Sequence, residues 1–182
     1  EKHFGSICCE IKMTSLWICG VTDVIDYVEQ HDIKKIISCL TDYEIVERTY
    51  HLQERLNEID KNYWSNQTNW LKLEIHDTSN EAGYKAPNMQ EVVKGITFGA
   101  EAIRSGTPLL VHCQFGLSRS PAMAIGCLLK AGRNIDQAYA EVLAVRPTID
   151  PNELIIKLLD EHFDLQGKLI EYNKELDSSD II

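Results

Sequence analysis

A cysteine and an arginine, Cys113 and Arg119, bracket five residues between a predicted strand and a predicted helix. The apolar run 108–111 precedes them and is typical of a short buried strand, and a helical pattern occupies 121–131. A loop in this position directs backbone N–H groups and a helix N-terminus at one point, which is the geometry of an anion site. Gly116 allows the loop to curl tightly, because glycine adopts backbone angles that other residues avoid. The stretch therefore predicts a thiol and a guanidinium that face one bound anion.

The segment His112 to Ser120 reads His-Cys-x-x-Gly-x-Ser-Arg-Ser. It resembles the signature of the protein tyrosine phosphatase superfamily, in particular its dual-specificity-like branch, and the layout is closest to compact bacterial-type members. The resemblance covers most of residues 16–163. It implies an α/β phosphatase fold, a single three-layer domain with a central, mainly parallel sheet flanked by helices. It also implies removal of phosphate from phosphotyrosine in proteins, with phosphoserine and phosphothreonine as further substrates, through a phosphocysteine intermediate.

The residue types of the phosphate loop (residues 113–119) suit a phosphoryl group. Backbone donors can surround its oxygens, while the planar guanidinium of Arg119 can bind two of them at once. The residues expected to bind the substrate phosphate are Gln114, Phe115, Gly116, Leu117, Ser118 and Arg119.

Three side chains in and beside that loop have expected roles in catalysis. The positive field of the loop favours the thiolate form of Cys113, which is then the nucleophile. Ser120 is close enough in sequence to hydrogen-bond the sulfur and ease its departure as a leaving group. His112 is expected to orient the loop from behind.

A phosphatase also needs an acid that protonates the leaving oxygen. In the family this acid is an aspartate on the loop after the strand that precedes the nucleophile strand, and Asp77 holds that position here. Asp77 would act as general acid and then as base on water. Glu81, in the same loop, is the second candidate, and a loop-capping role is the structural alternative for Asp77.

The phosphate loop must be presented by a sheet, and three further segments have strand patterns, namely 16–20, 35–40 and 70–75. A short helical pattern separates the first two, so we predict a βαβ unit and a parallel sheet. Capping patterns at Asn88, Asn134 and Asp150 predict three helix starts, and Pro151 is expected to be the first residue of the last helix.

The connection 41–67 contains a helical pattern that predicts a packed surface helix. It follows the carboxyl end of a strand, where ligands of parallel sheets bind, so it could instead border the site, with Tyr43, Tyr50 or Trp64 touching the substrate. The segment 146–152, which ends in Asn152, resembles a segment that supports the phosphate loop in dual-specificity-like enzymes.

Composition sets the remaining expectations. The chain has 182 residues and a net charge of −10, which disfavours nucleic-acid and anionic-membrane partners. Its six cysteines lack metal-binding spacing, which indicates mostly structural thiols in a reducing compartment, the cytoplasm. We expect one domain over 1–182, with a weakly patterned segment 1–15 and a frayed tail 174–182, and no metal or other cofactor. The oligomeric state stays open.

Rival functions come from other classes. A phosphoprotein-binding pseudophosphatase would lack the nucleophile or the acid, whereas Cys113 and Asp77 are both present. A phosphoinositide phosphatase would carry basic residues within 114–118, where there are none. An RNA 5′-phosphatase would have basic surroundings, and this chain is acidic.

Overall fold

Four parallel strands form the centre of the computed structural model, which describes residues 15–44 and 50–179. They are β1 (Leu16–Gly20), β2 (Lys35–Leu40), β3 (Trp70–Glu74) and β4 (Leu109–Cys113). Their order is β1-β4-β2-β3, and every neighbouring pair is parallel, which confirms the predicted sheet. Gly20 pairs with Cys113 and Ser38 pairs with His112, so the carboxyl ends of the central strands meet where the phosphate loop begins.

Helices cover both faces of the sheet. The α-helices of the described ranges are α1 (Val24–Gln30), α2 (Asp42–Glu44), α3 (Tyr50–Trp64), α4 (Met89–Ser105), α5 (Arg119–Lys130), α6 (Ile135–Val145), α7 (Glu153–His162) and α8 (Lys168–Ser179). Residues of α4 to α8 share one buried cluster with the sheet, and residues of α1 and α3 share a second. This arrangement confirms the three-layer fold. Among these helices, none combines the length and apolar content needed to cross a membrane.

Two of the predicted helix starts are confirmed by their capping bonds. The Asn88 side chain accepts a hydrogen bond from the Glu91 amide at the start of α4. Asn134 and Gln137 exchange side-chain to backbone bonds as a capping box at the start of α6. Each bond satisfies an amide that has no partner within the helix, so both helices begin where their sequences indicate.

The prediction for the last capping site was wrong. Helix α7 begins at Glu153, and Asn152 is its cap, since the Asn152 side chain accepts from the Ile155 amide at 3.0 Å. The Asp150 amide is directed to the phosphate loop instead, where it donates to the Leu117 carbonyl. The amides of Asp150 and Asn152 are thus bound to the loop, and the helix starts later.

Two other expectations also need correction. Trp64 does not border the site: it is buried in the same cluster as Leu56 and Trp70, because the apolar face of α3 packs against the sheet. The frayed tail is wrong for residues 174–179, which belong to α8, where Leu176 packs against the core. The segment 1–14 and residues 180–182 lie outside the described residues.

Close packing of α4 on α5 yields the first testable prediction. A Cβ atom built on Gly99 would lie 2.2 Å from Cys127 Sγ. The variant Gly99→Ala should therefore lower the free energy of unfolding by about 1–3 kcal/mol, through overpacking of the core. The measurement is urea denaturation followed by circular dichroism. Lys94→Ala, on the exposed side of the same helix, should change it by less than about 0.5 kcal/mol. Equal midpoints for the two variants would contradict the tight contact.

Candidate active site

The backbone of the phosphate loop is turned so that its carbonyl groups point away from its centre. The carbonyl oxygens of Gln114, Phe115, Gly116, Leu117 and Ser118 accept hydrogen bonds from Val21 N, Arg146 Nη2, Arg146 Nε, Asp150 N and Asn152 N respectively, at 2.8–3.2 Å. Because the carbonyls face outward, the alternating N–H groups face the concave side, which is an anion-binding nest. The segment 146–152 supplies four of these five bonds, in keeping with the support expected of it.

Gly116 makes the tightest bend of the loop. Its φ angle is +72°, a conformation that side chains rarely adopt. A Cβ atom at this position would lie 2.5 Å from the carbonyl carbon of Cys19, so the loop also approaches strand β1 closely. Its amide points at Cys113 Sγ, at 3.3 Å. Backbone angle and space together require glycine here.

The sulfur of Cys113 lies at the carboxyl end of β4, beneath the loop. Ser120 Oγ is 3.2 Å from Sγ, and the Gly116 amide donates to the same atom. Both groups can donate to a thiolate, so they stabilise negative charge on the sulfur. His112 is buried behind the loop, and its Nδ1 lies 3.2 Å from the Cys113 carbonyl oxygen. The structure thus brings together Cys113, Ser120 and His112.

Arg119 is the first residue of α5 and is almost completely buried. Its Nη1 and Nη2 donate to the two carboxylate oxygens of Glu44 at 2.7 and 3.0 Å, and Nη1 also donates to the Ile75 carbonyl. Within the described part of the chain, Nε is buried without a hydrogen-bond partner. A buried donor on a charged group needs an acceptor, so a bound anion would satisfy it.

Glu44 is a site residue that the sequence analysis missed. Its carboxylate accepts from the backbone N–H and the hydroxyl of Thr41, while the Glu44 amide donates to Thr41 Oγ1. Burial by itself raises the pKa of Glu44, but the hydrogen bonds from Arg119 and Thr41 outweigh burial, so this pKa lies below its usual value. Thr41-x-x-Glu44 has the pattern of a capping box, which was the available signal. The ion pair between Glu44 and Arg119 could not be inferred from that pattern.

Asp77 faces the rim of the loop. Its Oδ1 accepts from Ser118 Oγ at 2.7 Å and from Asn152 Nδ2 at 2.9 Å. Because both bonds use Oδ1, a proton carried by this carboxyl would reside on Oδ2. Glu81, the second candidate acid, is exposed and forms an ion pair with Lys157 on α7. The structure therefore brings Asp77, and not Glu81, to the phosphate loop.

Three aromatic side chains of the loop and of the connection after β2 are exposed. Phe115, within the loop, is 72% exposed, and Tyr43, next to Glu44, is 69% exposed. Tyr50, at the start of α3, is also exposed. Of the three side chains expected to border the site, Tyr43 and Tyr50 are exposed, and Trp64 is buried.

The pairing of Glu44 with Arg119 gives a prediction with a defined pH dependence. In Glu44→Gln one charge is lost, Arg119 is held less firmly, and kcat/KM for an aryl phosphate should fall roughly 10- to 100-fold. Since folding depresses the pKa of Glu44, its stabilisation is present above the unfolded value of about 4.3 and is lost as pH falls through the folded value. The difference in unfolding free energy between wild type and variant should thus be largest near neutral pH and shrink below about pH 4.

Chemical denaturation at several pH values measures this difference. Glu101→Gln, an exposed change on α4, is the control and should alter neither kinetics nor stability. A constant stability difference across the pH range would show that the ion pair does not stabilise the fold.

Comparison with known proteins agrees with this geometry. Residues 16–164 match the family model described as dual specificity phosphatase, catalytic domain. The human dual specificity protein phosphatase 16 is 36% identical over 84 residues, which are 46% of this chain and 11% of that protein. Slingshot homolog 3 from Mus musculus is 29% identical over 113 residues, 62% of this chain and 16% of that protein. The chain therefore spans only a small part of the length of these relatives.

Solved structures show the same fold. Human tyrosine phosphatase-like serine/threonine/tyrosine-interacting protein superposes with a TM-score of 0.59 at 20% identity, covering 84% of this chain and 93% of that one. PTPMT1 in complex with PI(5)P superposes with a TM-score of 0.54 at 18% identity, covering 90% of each chain. Since the family model covers most of the chain and the fold agrees with it, this protein belongs to the family of dual specificity phosphatase catalytic domains.

Proposed function

We propose that this protein is a cysteine-dependent phosphatase that removes phosphate from phosphotyrosine, and also from phosphoserine and phosphothreonine, in protein substrates. One observation carries the proposal. The Cys113 sulfur, the concave face of the loop and the unpartnered Nε of Arg119 meet at the carboxyl end of β4. A phosphoryl group bound there would place its phosphorus next to a nucleophile and its oxygens next to donors.

In the first step, the Cys113 thiolate attacks phosphorus, forming an S–P bond while the bond to the leaving oxygen breaks. The proton on Asp77 Oδ2 passes to that oxygen, and the substrate leaves as a phenol or an alcohol. Ser118 and Asn152 hold Oδ1 meanwhile, so the carboxyl keeps its orientation through the transfer. The product of this step is a phosphocysteine.

In the second step, Asp77 takes a proton from water, whose oxygen attacks phosphorus as the S–P bond breaks. The electron pair of that bond returns to sulfur, so Cys113 leaves as a thiolate and inorganic phosphate is released. Ser120 Oγ, 3.2 Å from the sulfur, can donate to it and stabilise the charge that develops. Arg119 stabilises the phosphoryl oxygens throughout both steps, since Glu44 fixes its orientation.

The exposed aromatic side chains support an aryl phosphate as the preferred substrate. Phe115 and Tyr43 can contact the ring of a phosphotyrosine residue, whereas phosphoserine offers no ring to them. Residues 114–118 include no basic side chain that would match an additional ring phosphate of a phosphoinositide. These features favour phosphotyrosine in a protein over a phosphoinositide, the ligand bound in the related solved structure.

The cysteines support a reducing compartment, such as the cytoplasm, as the place of this activity. Cys19, Cys39, Cys113 and Cys127 are all free thiols. A nucleophilic thiol such as Cys113 works only in its reduced form, which the cytoplasm maintains.

The variant Cys113→Ser tests the proposed activity directly. A serine hydroxyl does not ionise near neutral pH, so turnover should vanish. The donors of the loop remain, so phosphate binding should persist. Hydrolysis of para-nitrophenyl phosphate and of a phosphotyrosine peptide measures the first effect, and calorimetric titration of the variant with the peptide measures the second. Binding without hydrolysis by the wild-type protein would identify a pseudophosphatase, and hydrolysis by the variant would exclude Cys113 as the nucleophile.

The variant Asp77→Asn tests the acid. An asparagine Oδ1 can still accept from Ser118 and Asn152, so the geometry is kept and only the transferable proton is lost. Turnover of phenyl phosphate should fall by roughly 10²–10⁴-fold, whereas para-nitrophenyl phosphate, whose leaving group departs without help, should lose less. The descending limb of the wild-type pH–rate profile should disappear.

Glu81→Gln is the matched control, since it removes a carboxylate of the same loop that faces Lys157 instead of the site. It should leave both the leaving-group dependence and the pH profile unchanged. An equal loss for both substrates in Asp77→Asn, together with an effect of Glu81→Gln, would transfer the role of general acid to Glu81.

A further inference from the structure

A chain of three buried side chains runs from the edge of the sheet to the first peptide group of the phosphate loop. Trp70 Nε1 on β3 donates to Ser38 Oγ on β2 at 2.8 Å. Ser38 Oγ lies 2.5 Å from His112 Nε2 on β4, and His112 Nδ1 lies 3.2 Å from the Cys113 carbonyl oxygen. Ser38 and His112 are fully buried, and Trp70 is 4% exposed. All three hydrogen bonds are therefore buried.

Only one placement of the protons satisfies all three hydrogen bonds. An indole N–H only donates, so Ser38 Oγ must accept from Trp70. The Cys113 carbonyl oxygen also only accepts, so the nitrogen beside it, Nδ1 of His112, must carry the ring proton and donate. In a neutral imidazole Nε2 then has no proton, and it accepts the hydroxyl proton of Ser38.

The surroundings of His112 keep the ring neutral. The pKa of His112 is lowered to about 4: burial is the main cause and the positive charge of Arg119 adds to it, although the bond to the Cys113 carbonyl acts in the opposite direction. On the neighbouring strands its register partners are Cys19 on β1 and Ser38 on β2. Neither partner is a carboxylate, so neither stabilises a cationic ring. A cationic ring would also leave the Ser38 proton without an acceptor.

The bond to the Cys113 carbonyl has a consequence for the loop. In a trans peptide, the carbonyl oxygen and the next N–H point in opposite directions, and the described residues contain no cis peptide bond. Holding the Cys113 oxygen toward His112 therefore turns the Gln114 N–H away from it, as the loop requires. The carbonyls of residues 114–118 are held by other elements, so His112 holds the one peptide that they do not.

We propose that Ser38 and Trp70 are positioning residues of the phosphate loop: they hold His112 as its Nδ1–H tautomer and thereby orient the Cys113–Gln114 peptide. The kinetic part of this proposal rests on the proposed phosphatase function. The tautomer itself does not, because it follows from hydrogen bonds within the folded protein.

Two variants separate the contributions. Trp70→Phe removes the indole N–H and keeps an aromatic ring, so the Ser38 hydroxyl loses the donor that orients its proton toward His112 and can rotate to accept from Nε2 instead. Ser38→Ala removes the partner of both Trp70 and His112. With either change we expect the Nε2–H tautomer to appear, and we expect kcat to fall roughly 10- to 100-fold in Ser38→Ala, with a smaller fall in Trp70→Phe and little change in KM.

The tautomer is measured by ¹⁵N-edited NMR of the imidazole nitrogens of His112, assigned by comparison with His112→Asn. The state of Cys113 is measured by the rate of alkylation by iodoacetamide as a function of pH. The wild-type protein should show Nδ1–H alone, and the alkylation curve of Ser38→Ala should move to higher pH, because a misplaced Gln114 N–H stabilises the thiolate less.

Tyr139→Phe is the matched control, since it also removes a buried hydroxyl, the one that donates to Asn173 Oδ1 at 2.9 Å, on the opposite face of the sheet. It should leave the tautomer, the alkylation curve and kcat unchanged. Equal effects in Tyr139→Phe and Ser38→Ala would show that these three hydrogen-bonded side chains contribute only to overall stability. That result would overturn the proposal.

An Nε2–H tautomer in the wild-type protein would overturn it directly, as would an unchanged tautomer in Trp70→Phe. That variant also decides the matter if Ser38→Ala does not fold. If the wild-type protein hydrolyses no phosphate ester, the proposed function fails, while NMR and alkylation still test the positioning roles.

Discussion

The site depends on the direction of six consecutive peptide groups. Successive peptide groups from Cys113 to Ser118 point their carbonyl oxygens outward, and the corresponding N–H groups gather around one point only because of this. An isolated loop would not hold this conformation, because its parallel peptide dipoles repel one another. Gly116 could also adopt many other backbone conformations. The required orientation is set by acceptor bonds to the surrounding structure, whose donors come from three places in the fold: His112 on β4, Val21 after β1 and the segment 146–152 before α7.

The sheet explains why those places are close. The chain after β1 supplies Val21, the chain after β3 supplies Asp77, and the segment before α7 supplies Asp150 and Asn152. In a parallel sheet the carboxyl ends of all strands lie at one edge, so loops far apart in sequence meet there. Arg146 and Asn152 thus connect the α6–α7 segment to the loop, and Asn152 also connects it to Asp77. The position of the acid and the shape of the loop are thereby coupled through one asparagine.

The site concentrates positive charge, although the protein as a whole is acidic. The chain carries a net charge of −10, yet the site has a buried guanidinium and a ring of amide donors. Burial lowers the pKa of Arg119, but its bonds to Glu44 and the nearby Cys113 and Asp77 raise it more, so the guanidinium stays charged. Glu44 neutralises that charge on one side only, and Nε is left for an anion. The acidic remainder of the surface acts at longer range and is screened by salt.

Local patterns in the sequence determined the parallel sheet, the loop between Cys113 and Arg119, and the helix starts at Asn88 and Asn134, because strand periodicity, glycine and capping residues act on their own neighbours. The tertiary structure alone decided which side chains meet that loop. Glu44 lies 75 positions from Arg119, and Ser38 lies 74 positions from His112. Neither separation has a periodicity that a sequence pattern could carry. The start of α7 was also decided in three dimensions, since the bond from the Asp150 amide to Leu117 overrides the local cap. Residue types set the available chemistry. The strand order determined which side chains meet at the loop, because it brings distant strand ends to one edge of the sheet.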